Sequence, residues 1–230
     1  MTRTRHHVAA RCAAILVTVV VLAGHSAAQE PATLRVFLAR HGQTDGNLNR
    51  RAQGWTDTPL NETGRTHAAL LAERLAGVHL DAIYSSTLSR SRETAQAVAA
   101  GRKVTATSLP GLREIGLGRF EDLALDDPLL KQRPRGEERG PDDGESPGQV
   151  TARVSGAIAD IRKTHPSGTV LIVGHAGANG YVLRALLQMT AQEMGQVGVQ
   201  DNDELYVIEL PQGFKPRVFK FIPVGKFNEL

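Results

Sequence analysis

The sequence is poor in cysteine and in aromatic residues, and it has no hydrophobic run long enough to span a membrane. Its one cysteine is Cys12, so the chain after that position offers no thiol for a disulfide or a cysteine-ligated metal site. Aromatic residues make up 4% of the chain, which leaves no obvious platform for stacking a nucleotide base. The run at 13–23 is apolar apart from Thr18, but it is too short to cross a bilayer as a permanent helix.

The first 28 residues have the composition of a cleavable signal peptide. The apolar run follows a start that carries three arginines and no acid, and it precedes the small residues Ser26, Ala27 and Ala28. We therefore expect cleavage after Ala28 and a periplasmic or secreted protein. An uncleaved N-terminal anchor is the alternative.

The rest of the chain, residues 29–230, is electrically balanced. The three arginines of the predicted signal peptide equal the excess of 27 basic over 24 acidic residues. No basic stripe with interleaved aromatic residues is present, so we expect no nucleic-acid partner. This length suits one domain with a single core. We expect no stable membrane span after signal removal, and the oligomeric state is left open.

From Thr33 onward, short apolar runs alternate with amphipathic stretches, which is typical of an α/β protein. Strands are predicted at 34–39, 82–85, 169–173, 205–210 and 217–221. Helices are predicted at 62–76, with Asn61 as N-cap, and at 89–100, 149–163 and 179–188. The expected fold is a three-layer α/β/α sandwich with a mostly parallel central sheet.

The segment 126–148 differs from the rest, because it is rich in proline, glycine and charged residues and has few apolar ones. It is predicted to be irregular. It is either a solvated surface insertion or a cap over the active site that shapes the substrate pocket. In the second case Arg133, Arg135 and Arg139 would favour substrates with a second anionic group.

Reactive side chains lie where predicted strands end. His41 and Arg40 lie at the end of the first strand, and His175 directly follows the most apolar strand. Arg90 lies near the start of a helix after another strand, and Glu114 lies in a glycine-rich turn. Because ligands of open α/β sheets bind outside the carboxyl ends of the strands, we expect these five residues at one edge of the sheet.

The same residues belong to an ordered set of short motifs between Leu34 and about Leu210. These are Arg40-His41-Gly42-Gln43-Thr44 with Asn47, Gln53-Gly54, Asp57-Thr58-Pro59-Leu60 through Gly64, Tyr84-Ser85-Ser86 with Leu88 and Arg90, Thr94-Ala95, Glu114-Ile115 with Gly118, Phe120 and Glu121, Gly144-Glu145-Ser146 with Arg153, and Gly174-His175. The set resembles branch 1 of the histidine phosphatase superfamily, also called the phosphoglycerate mutase-like family.

The resemblance implies a hydrolase that cleaves small phosphate monoesters through a phosphohistidine on His41. One imidazole nitrogen would attack phosphorus while the other keeps its proton, held by a backbone carbonyl or a similar acceptor. Glu114 would be the general acid that protonates the leaving group and then the base that activates water. His175 is the third residue expected to act in catalysis.

The remaining site residues are expected to bind phosphate or substrate. Arg40 and Arg90 would hold the equatorial oxygens, and His175, most useful when protonated, would be a further donor. Asn47 would add a neutral donor. The resemblance also assigns substrate contacts to Gln53 and Gly54. No cofactor and no metal are expected, because the cationic side chains take the place of a divalent ion.

Some features depart from the family pattern or have simpler explanations. Phe120-Glu121-Asp122 stands where the family often has Trp-Glu-Gly, and Ala176 stands where glycine is common, which leaves the substrate open. Arg153 is expected to pair with Glu145, and Ser146 to cap the helix that follows it. The alternatives to a phosphatase are a phosphoglycerate-type mutase and a non-catalytic module that binds phosphate ligands on the same fold.

Overall fold

The computed structural model describes residues 31–140, 142–194, 199–221 and 227–229, so the predicted signal peptide lies outside the described residues. The strands are β1 (Thr33–Arg40), β2 (Ala82–Ser85), β3 (Ala106–Ser108), β4 (Gly168–Gly174), β5 (Leu205–Pro211), β6 (Arg217–Phe221) and β7 (Phe227–Glu229). The helices are α1 (Asp45–Leu48), α2 (Glu62–Arg74), α3 (Ser89–Ala99), α4 (Pro128–Lys131), α5 (Pro147–Thr164), α6 (Ala176–Leu187) and α7 (Ala191–Met194).

The strands form one sheet in the order β3-β2-β4-β1-β5-β6-β7. Strands β3, β2, β4 and β1 are mutually parallel, and β5, β6 and β7 extend the sheet through antiparallel pairings. Five of the seven described strands therefore run in one direction, and the predicted mostly parallel sheet is confirmed. Helices α2, α3 and α5 lie in the crossover connections that parallel neighbours need.

Side chains of β1 alternate between two core layers, as a strand between two helical layers requires. Val36 and Leu38 belong to the core that includes α5 and α6, whereas Phe37 and Ala39 belong to the core that includes α2 and α3. The central strand β4 is fully buried from Val170 to Val173, which explains why it reads as a continuous apolar run. The three-layer arrangement follows from these two cores.

The register of β1 against β4 determines where the two candidate histidines lie along the sheet. Arg40 pairs with Gly174, and the backbone N–H of His41 donates to the Gly174 carbonyl at 3.0 Å. His41 and His175 therefore leave the sheet side by side at its carboxyl edge.

Side-chain caps mark the first residues of helices α5 and α2. Ser146 accepts from the Gln149 N–H at 3.3 Å, and the Gln149 side chain accepts from the Ser146 N–H at 2.8 Å, so α5 begins at Pro147, two residues earlier than predicted. The predicted Asn61 cap of α2 is present. Helix α6 begins at Ala176, three residues earlier than predicted, directly after His175.

The elements that the sequence patterns missed are short. Helices α1, α4 and α7 have four residues each, and β3 and β7 have three, which is too few for a periodic pattern. Helix α4 lies in the 126–148 segment, where Asp127 caps it. No helix within the described ranges is long and apolar enough to cross a bilayer.

Candidate active site

His41 is 3% exposed at the carboxyl end of β1. Its Nδ1 lies 2.7 Å from the Gly42 carbonyl oxygen, which can only accept, so Nδ1 carries the ring proton. Nε2 therefore has a free lone pair, which a neutral imidazole nucleophile needs. The backbone is held from two sides, since Asn202 Nδ2 donates to the His41 carbonyl at 2.7 Å and the Gly42 N–H donates to Thr94 Oγ1 at 3.0 Å.

His175 is fully buried next to His41, with 5.0 Å between the ring centroids and the rings tilted by 56°. Its Nε2 lies 2.7 Å from the Ser86 hydroxyl, which also accepts from the Leu88 N–H at 3.2 Å. The hydroxyl proton can then point at His175 Nε2, and in this arrangement the ring proton is on Nδ1. That Nδ1 is buried and has no hydrogen-bond partner among the described residues.

Burial is the main reason why the pKa of each imidazole lies well below its ordinary value of 6.5. For His41, the positive charges of Arg90 and Arg40 lower the pKa further, while the Gly42 carbonyl opposes them. For His175, the neighbouring His41 ring and the same arginines add to burial. Both rings are thus neutral in the ligand-free protein. The expected protonated His175 is not its ligand-free state, but a neutral ring still donates from Nδ1.

The two arginines use only part of their hydrogen-bonding capacity within the protein. Arg90 is 1% exposed and donates from Nη1 to the Thr56 carbonyl at 2.7 Å and from Nη2 to the Gly54 carbonyl at 2.8 Å. Arg40 donates from Nη1 to the Gln200 carbonyl at 2.8 Å. Burial is the main cause that lowers the pKa of both guanidinium groups below the ordinary value for arginine, and both stay cationic at neutral pH.

Three buried donors in this cluster have no acceptor. Six buried side-chain polar atoms in the described part of the chain lack a hydrogen-bond partner, and three of them are Arg40 Nε, Arg90 Nε and His175 Nδ1. A buried donor without a partner costs about 1–3 kcal/mol. Because all three belong to residues that interact with the His41 ring, one anion beside that ring could satisfy them together.

Glu114 lies at the N-terminus of α6, next to His175. Its Oε1 accepts from the N–H groups of Ile115 at 2.8 Å and Ala178 at 2.9 Å, and its Oε2 accepts from the Gly177 N–H at 3.1 Å. A Cβ atom at position 177 would lie 2.7 Å from Oε1, so glycine makes room for the carboxylate there. Glu114 also interacts electrostatically with both arginines of the cluster.

The turn that carries Glu114 is anchored through its backbone carbonyl. Trp55 Nε1 donates to that carbonyl at 2.7 Å, and Arg153 Nη2 donates to it at 2.8 Å. The predicted pairing of Arg153 with Glu145 is confirmed, as a two-point contact with distances of 2.6 and 2.7 Å. Arg113 lies over the Trp55 ring, 4.1 Å from its centroid.

The other predicted site residues lie in adjoining loops. Asn47 Oδ1 accepts from the Thr44 N–H at 3.1 Å, which leaves the amide group of Asn47 as the donor for a ligand. The Thr44 hydroxyl lies 2.8 Å from Gln53 Oε1. Gly54, with a φ of 50°, presents its carbonyl to Arg90. The structure thus brings His41, Arg40, Arg90, His175 and Glu114 together, while substrate contacts of Gln53 and Gly54 stay a prediction.

This arrangement agrees with a family profile described as the histidine phosphatase superfamily, branch 1, which matches residues 36–218. The chain belongs to this superfamily. A curated protein named probable phosphoglycerate mutase GpmB, from Cronobacter sakazakii, is 34% identical over 167 residues, which cover 69% of this chain and 77% of that protein.

Solved structures extend the comparison with histidine phosphatases. YhfR of Bacillus stearothermophilus is 34% identical, with a TM-score of 0.69 over 78% of this chain and 93% of that one. The alpha-ribazole phosphatase of Shigella flexneri is 27% identical, with a TM-score of 0.70 over 78% and 92%. The chain is therefore an enzyme of the phosphatase and mutase type, and a small phosphate compound fits its family as substrate.

The structure shows the contacts of Phe120-Glu121-Asp122, where this histidine phosphatase departs from the family pattern. Phe120 is buried and Glu121 binds the Trp55 loop, accepting from the Trp55 N–H and the Thr56 hydroxyl, both at 2.9 Å. Asp122 has a φ of 60°, in the left-handed region that favours glycine, and Arg51 Nε donates to it at 2.6 Å.

The sequence patterns did not predict the polar side chains that hold the backbone and the imidazole rings of the site in place. Asn179 Nδ2 donates to the Ala39 carbonyl at 3.1 Å and to Gln200 Oε1 at 2.7 Å, and Gln200 Nε2 donates to the Leu38 carbonyl at 2.9 Å. Ser86 binds the His175 ring, and Asn202 binds the His41 backbone. Ser86 lies in a recognised motif, but nothing local marks the others.

No three His, Cys, Asp or Glu side chains come together to hold a metal ion in the part of the chain that the structure describes. The histidines of the cluster lie beside guanidinium groups, which would repel a cation.

Proposed function

We propose that this histidine phosphatase is an exported enzyme that hydrolyses phosphate monoesters through a covalent phosphohistidine on His41. The observation that carries the proposal is the state of the His41 ring. Its proton is held on Nδ1 by the Gly42 carbonyl, and its free Nε2 belongs to a cluster with three buried donors that lack acceptors. A nucleophile surrounded by donors for the equatorial oxygens is what in-line phosphoryl transfer needs.

The first half of the reaction transfers the phosphoryl group to the protein. His41 Nε2 attacks phosphorus and forms the N–P bond while the P–O bond to the alcohol breaks. The leaving oxygen takes a proton from Glu114, which must enter the step as the acid. Arg40 and Arg90 use their Nε–H groups, and His175 its Nδ1–H, to stabilise the charge on the oxygens of the group in transfer.

The second half returns the enzyme to its starting state. Water attacks the phosphohistidine, its proton passes to the Glu114 carboxylate, and the N–P bond breaks with its electron pair returning to His41 Nε2. Inorganic phosphate leaves. The Nδ1–H bond to Gly42 holds the ring in one orientation through both halves.

An acid-quench experiment tests the covalent intermediate. Brief mixing with a ³²P-labelled monoester should leave acid-labile, alkali-stable label on a peptide that contains His41, and His41→Ala should lose both label and turnover. His79→Ala is the matched control, because that histidine is exposed and contacts Asp81 instead of the site. Near-normal turnover in His41→Ala, or label on another residue, contradicts the proposal.

A phosphomutase is the second candidate, and the curated relative named a probable phosphoglycerate mutase favours it. The alpha-ribazole phosphatase among the solved relatives favours hydrolysis. The stretch between Glu114 and Glu145 is also short for the central insertion expected of such a mutase. A single experiment separates the two. With a labelled ester and an excess of acceptor alcohol, a hydrolase releases label as inorganic phosphate, whereas a mutase moves it to the alcohol.

Export is proposed from the composition of residues 1–28, namely a basic start, an apolar run and small residues before position 29. Expression of the full chain in a Gram-negative host should give a periplasmic protein whose first residue is Gln29. Recovery of the uncut chain in the membrane fraction would support the anchor alternative instead.

A further inference from the structure

Arg153 on α5 uses every N–H group of its guanidinium within the protein. Its Nη1 donates to the carbonyls of Gly111 at 2.9 Å and Arg113 at 2.7 Å, and its Nη2 donates to the Glu114 carbonyl at 2.8 Å. Its Nε and Nη2 also donate to the two carboxylate oxygens of Glu145, at 2.6 and 2.7 Å. Because an arginine has five N–H groups, these five hydrogen bonds leave none for a ligand.

The guanidinium of Arg153 therefore has a different task from those of Arg40 and Arg90. The latter two each keep a buried Nε–H that has no acceptor in the described part of the chain, which suits ligand binding. The backbone acceptors of Arg153 all lie within 111–114, and the last of them belongs to the residue that carries the proposed general acid. Arg153 thus binds the turn that leads to Glu114.

This turn has little regular structure to hold it in place. Residues 114–117 lie outside every helix and strand, so no ladder of backbone hydrogen bonds fixes them. Glu145 binds the far side of the turn, since its N–H donates to the Gly116 carbonyl at 2.9 Å and its Oε2 accepts from the Gly116 N–H at 2.8 Å. The side chains of Arg153 and Glu145 are 17% and 12% exposed, so water and salt screen their attraction only weakly. The ion pair supports the turn in place of secondary structure.

Close packing of α5 against the turn brings the guanidinium within reach. A Cβ atom at position 111 would lie 2.8 Å from the Arg153 carbonyl oxygen and 2.8 Å from the Ala157 Cβ, so only glycine fits there without a shift of the backbone. The same helix residue that meets this glycine sends its side chain to the three carbonyls of the turn. Trp55 adds one more donor, because its Nε1 lies 2.7 Å from the Glu114 carbonyl oxygen.

The position of the turn determines where the Glu114 carboxyl group lies. Arg153 and Trp55 hold its backbone carbonyl, while its carboxylate reaches the N–H groups of Gly177 and Ala178 at the N-terminus of α6. A general acid must lie within hydrogen-bond reach of the leaving oxygen, and a displacement of about 1 Å can cost about 10²-fold in rate. A shift of the turn would therefore impair protonation of the leaving group and leave the phosphate donors in place.

We propose that Arg153 is a positioning residue for the general acid, which acts by fixing the backbone of the Glu114 turn and not by contact with the substrate. Glu145 takes part in the same role, because it balances the Arg153 charge and binds Gly116. The inference rests on the proposed function, in which the Glu114 carboxyl gives its proton to the leaving oxygen. It assigns the Arg153–Glu145 pair to that step and to no part of phosphate binding.

Leaving groups of different basicity separate this role from a purely structural one. The alkoxide that leaves an alkyl phosphate needs a proton, whereas the leaving group of 4-nitrophenyl phosphate does not. Arg153→Gln should lower kcat/KM for an alkyl phosphate about 10- to 100-fold more than kcat/KM for 4-nitrophenyl phosphate. The Kd for inorganic phosphate should stay near its wild-type value, because Arg40 and Arg90 are intact.

Two milder variants show which property of the side chain matters. Arg153→Lys keeps the charge, but an ammonium cannot replace five hydrogen bonds made in one plane, so most of the same loss is expected. Trp55→Phe removes only the Nε1 donor to the Glu114 carbonyl and should lower the alkyl-to-aryl ratio by a smaller factor. Because Trp55 is 37% exposed, this variant decides the question if the Arg153 variants do not fold.

A double variant shows whether the effect passes through Glu114. In a Glu114→Gln background the acid is already absent, so adding Arg153→Gln should not lower the alkyl-to-aryl ratio further. Arg102→Gln is the matched control, because Arg102 also donates to three backbone carbonyls, but near the C-terminal ends of α2 and α3. It should lower the melting temperature and leave the ratio unchanged, and thermal melts of all variants report their folding.

The outcomes separate the inference from the proposed function. If Glu114→Gln lowers the ratio but the folded Arg153 variants do not, or if the double variant loses more than Glu114→Gln alone, the positioning role is wrong and the general acid stands. An equal loss on both esters in Arg153→Gln would also contradict the inference. If Glu114→Gln itself leaves the ratio unchanged, the acid step of the proposed function fails and the inference fails with it.

Discussion

Replacing Arg40 with glutamine should leave the ligand-free fold nearly as stable as before while removing much of the stabilisation that phosphate provides. Arg40 makes one hydrogen bond to Gln200 and has a buried Nε without a partner. Losing the bond costs about 1 kcal/mol, and removing the unpartnered donor restores a similar amount. Lost attraction to Glu114, Asp201 and Glu204 is offset by relief of the burial penalty on the guanidinium, which is the larger effect on its pKa, and by relieved repulsion from Arg90. The melting temperature should therefore change by less than about 4 °C.

The stabilisation that bound phosphate provides should change much more than the stability of the ligand-free protein. At a phosphate concentration of about 100 times Kd, binding stabilises the native state by about 2.7 kcal/mol. Loss of one charge-assisted hydrogen bond weakens binding by about 1.5–3 kcal/mol, which raises Kd by about 10- to 150-fold. The same phosphate concentration would then stabilise Arg40→Gln by only about 0.3–1.4 kcal/mol.

Arg102 provides the matched control, because each of its three guanidinium nitrogens donates to the backbone. It donates to the carbonyls of Val98 at 2.9 Å, Val78 at 2.8 Å and Leu75 at 2.5 Å. Arg102→Gln should lose about 2–3 kcal/mol of stability through those bonds. That loss should lower the melting temperature by about 5–10 °C. The rise in melting temperature that phosphate causes should stay the same.

Differential scanning calorimetry measures both quantities, the ligand-free stability and the stabilisation by phosphate. The two variants and the wild type are each measured with and without inorganic phosphate. The wild-type Kd comes from a phosphate titration of the same transition. An unchanged phosphate effect in Arg40→Gln would refute the assignment of the unpartnered Nε to ligand binding. A destabilisation of Arg40→Gln as large as that of Arg102→Gln would refute the claim that the buried donor is unsatisfied.

Three further predictions concern the chemistry and the pH dependence. Glu114→Gln should slow alkyl phosphates far more than aryl phosphates, whose leaving group needs no proton, and an equal loss on both would leave Glu114 with a positioning role. Chelators should not reduce turnover, because the cationic cluster repels divalent ions; loss with a chelator that a divalent ion restores would overturn this. The pKa values of His41 and His175 are lowered chiefly by burial, so the stability that depends on their neutral forms is present above pH 6.5 and is lost as the pH falls below it. Each ring should add a slope of about 1.4 kcal/mol per pH unit to urea-unfolding free energies measured down to pH 5, and His41→Gln should remove one of the two slopes.

The parts of the site that the sequence predicted are the ones encoded locally. His41 and His175 each follow an apolar run directly, so the hydrophobic pattern that predicts the strand also predicts where the imidazole emerges. Asn61 and Ser146 could be predicted as caps for the same reason, since each acts on an amide three residues away.

The parts that could not be predicted depend on contacts between distant segments. The Gln200 carbonyl that binds Arg40 lies 160 positions away in sequence, and the Asn202 amide that holds the His41 backbone lies 161 positions away. The neutral state of His175 follows from its burial and from neighbouring charges that include Arg90 and Arg40, and its ring is bound by the Ser86 hydroxyl, 89 positions away. No periodicity or local motif encodes these distances.

Each guanidinium uses some of its N–H groups to bind the protein and leaves another without a partner. This explains why the cluster is built from arginine. Arg90 uses Nη1 and Nη2 to bind the carbonyls of Thr56 and Gly54, and its Nε–H is left over in the same rigid plane. Arg40 is divided in the same way, with Nη1 on the Gln200 carbonyl and Nε unpaired. A planar group with five N–H donors can be fixed by the protein on one side and still present a donor on the other, whereas a lysine ammonium has no such fixed plane. The loops therefore orient the cations before a ligand arrives, and the entropy of ordering them is lost on folding and not on binding.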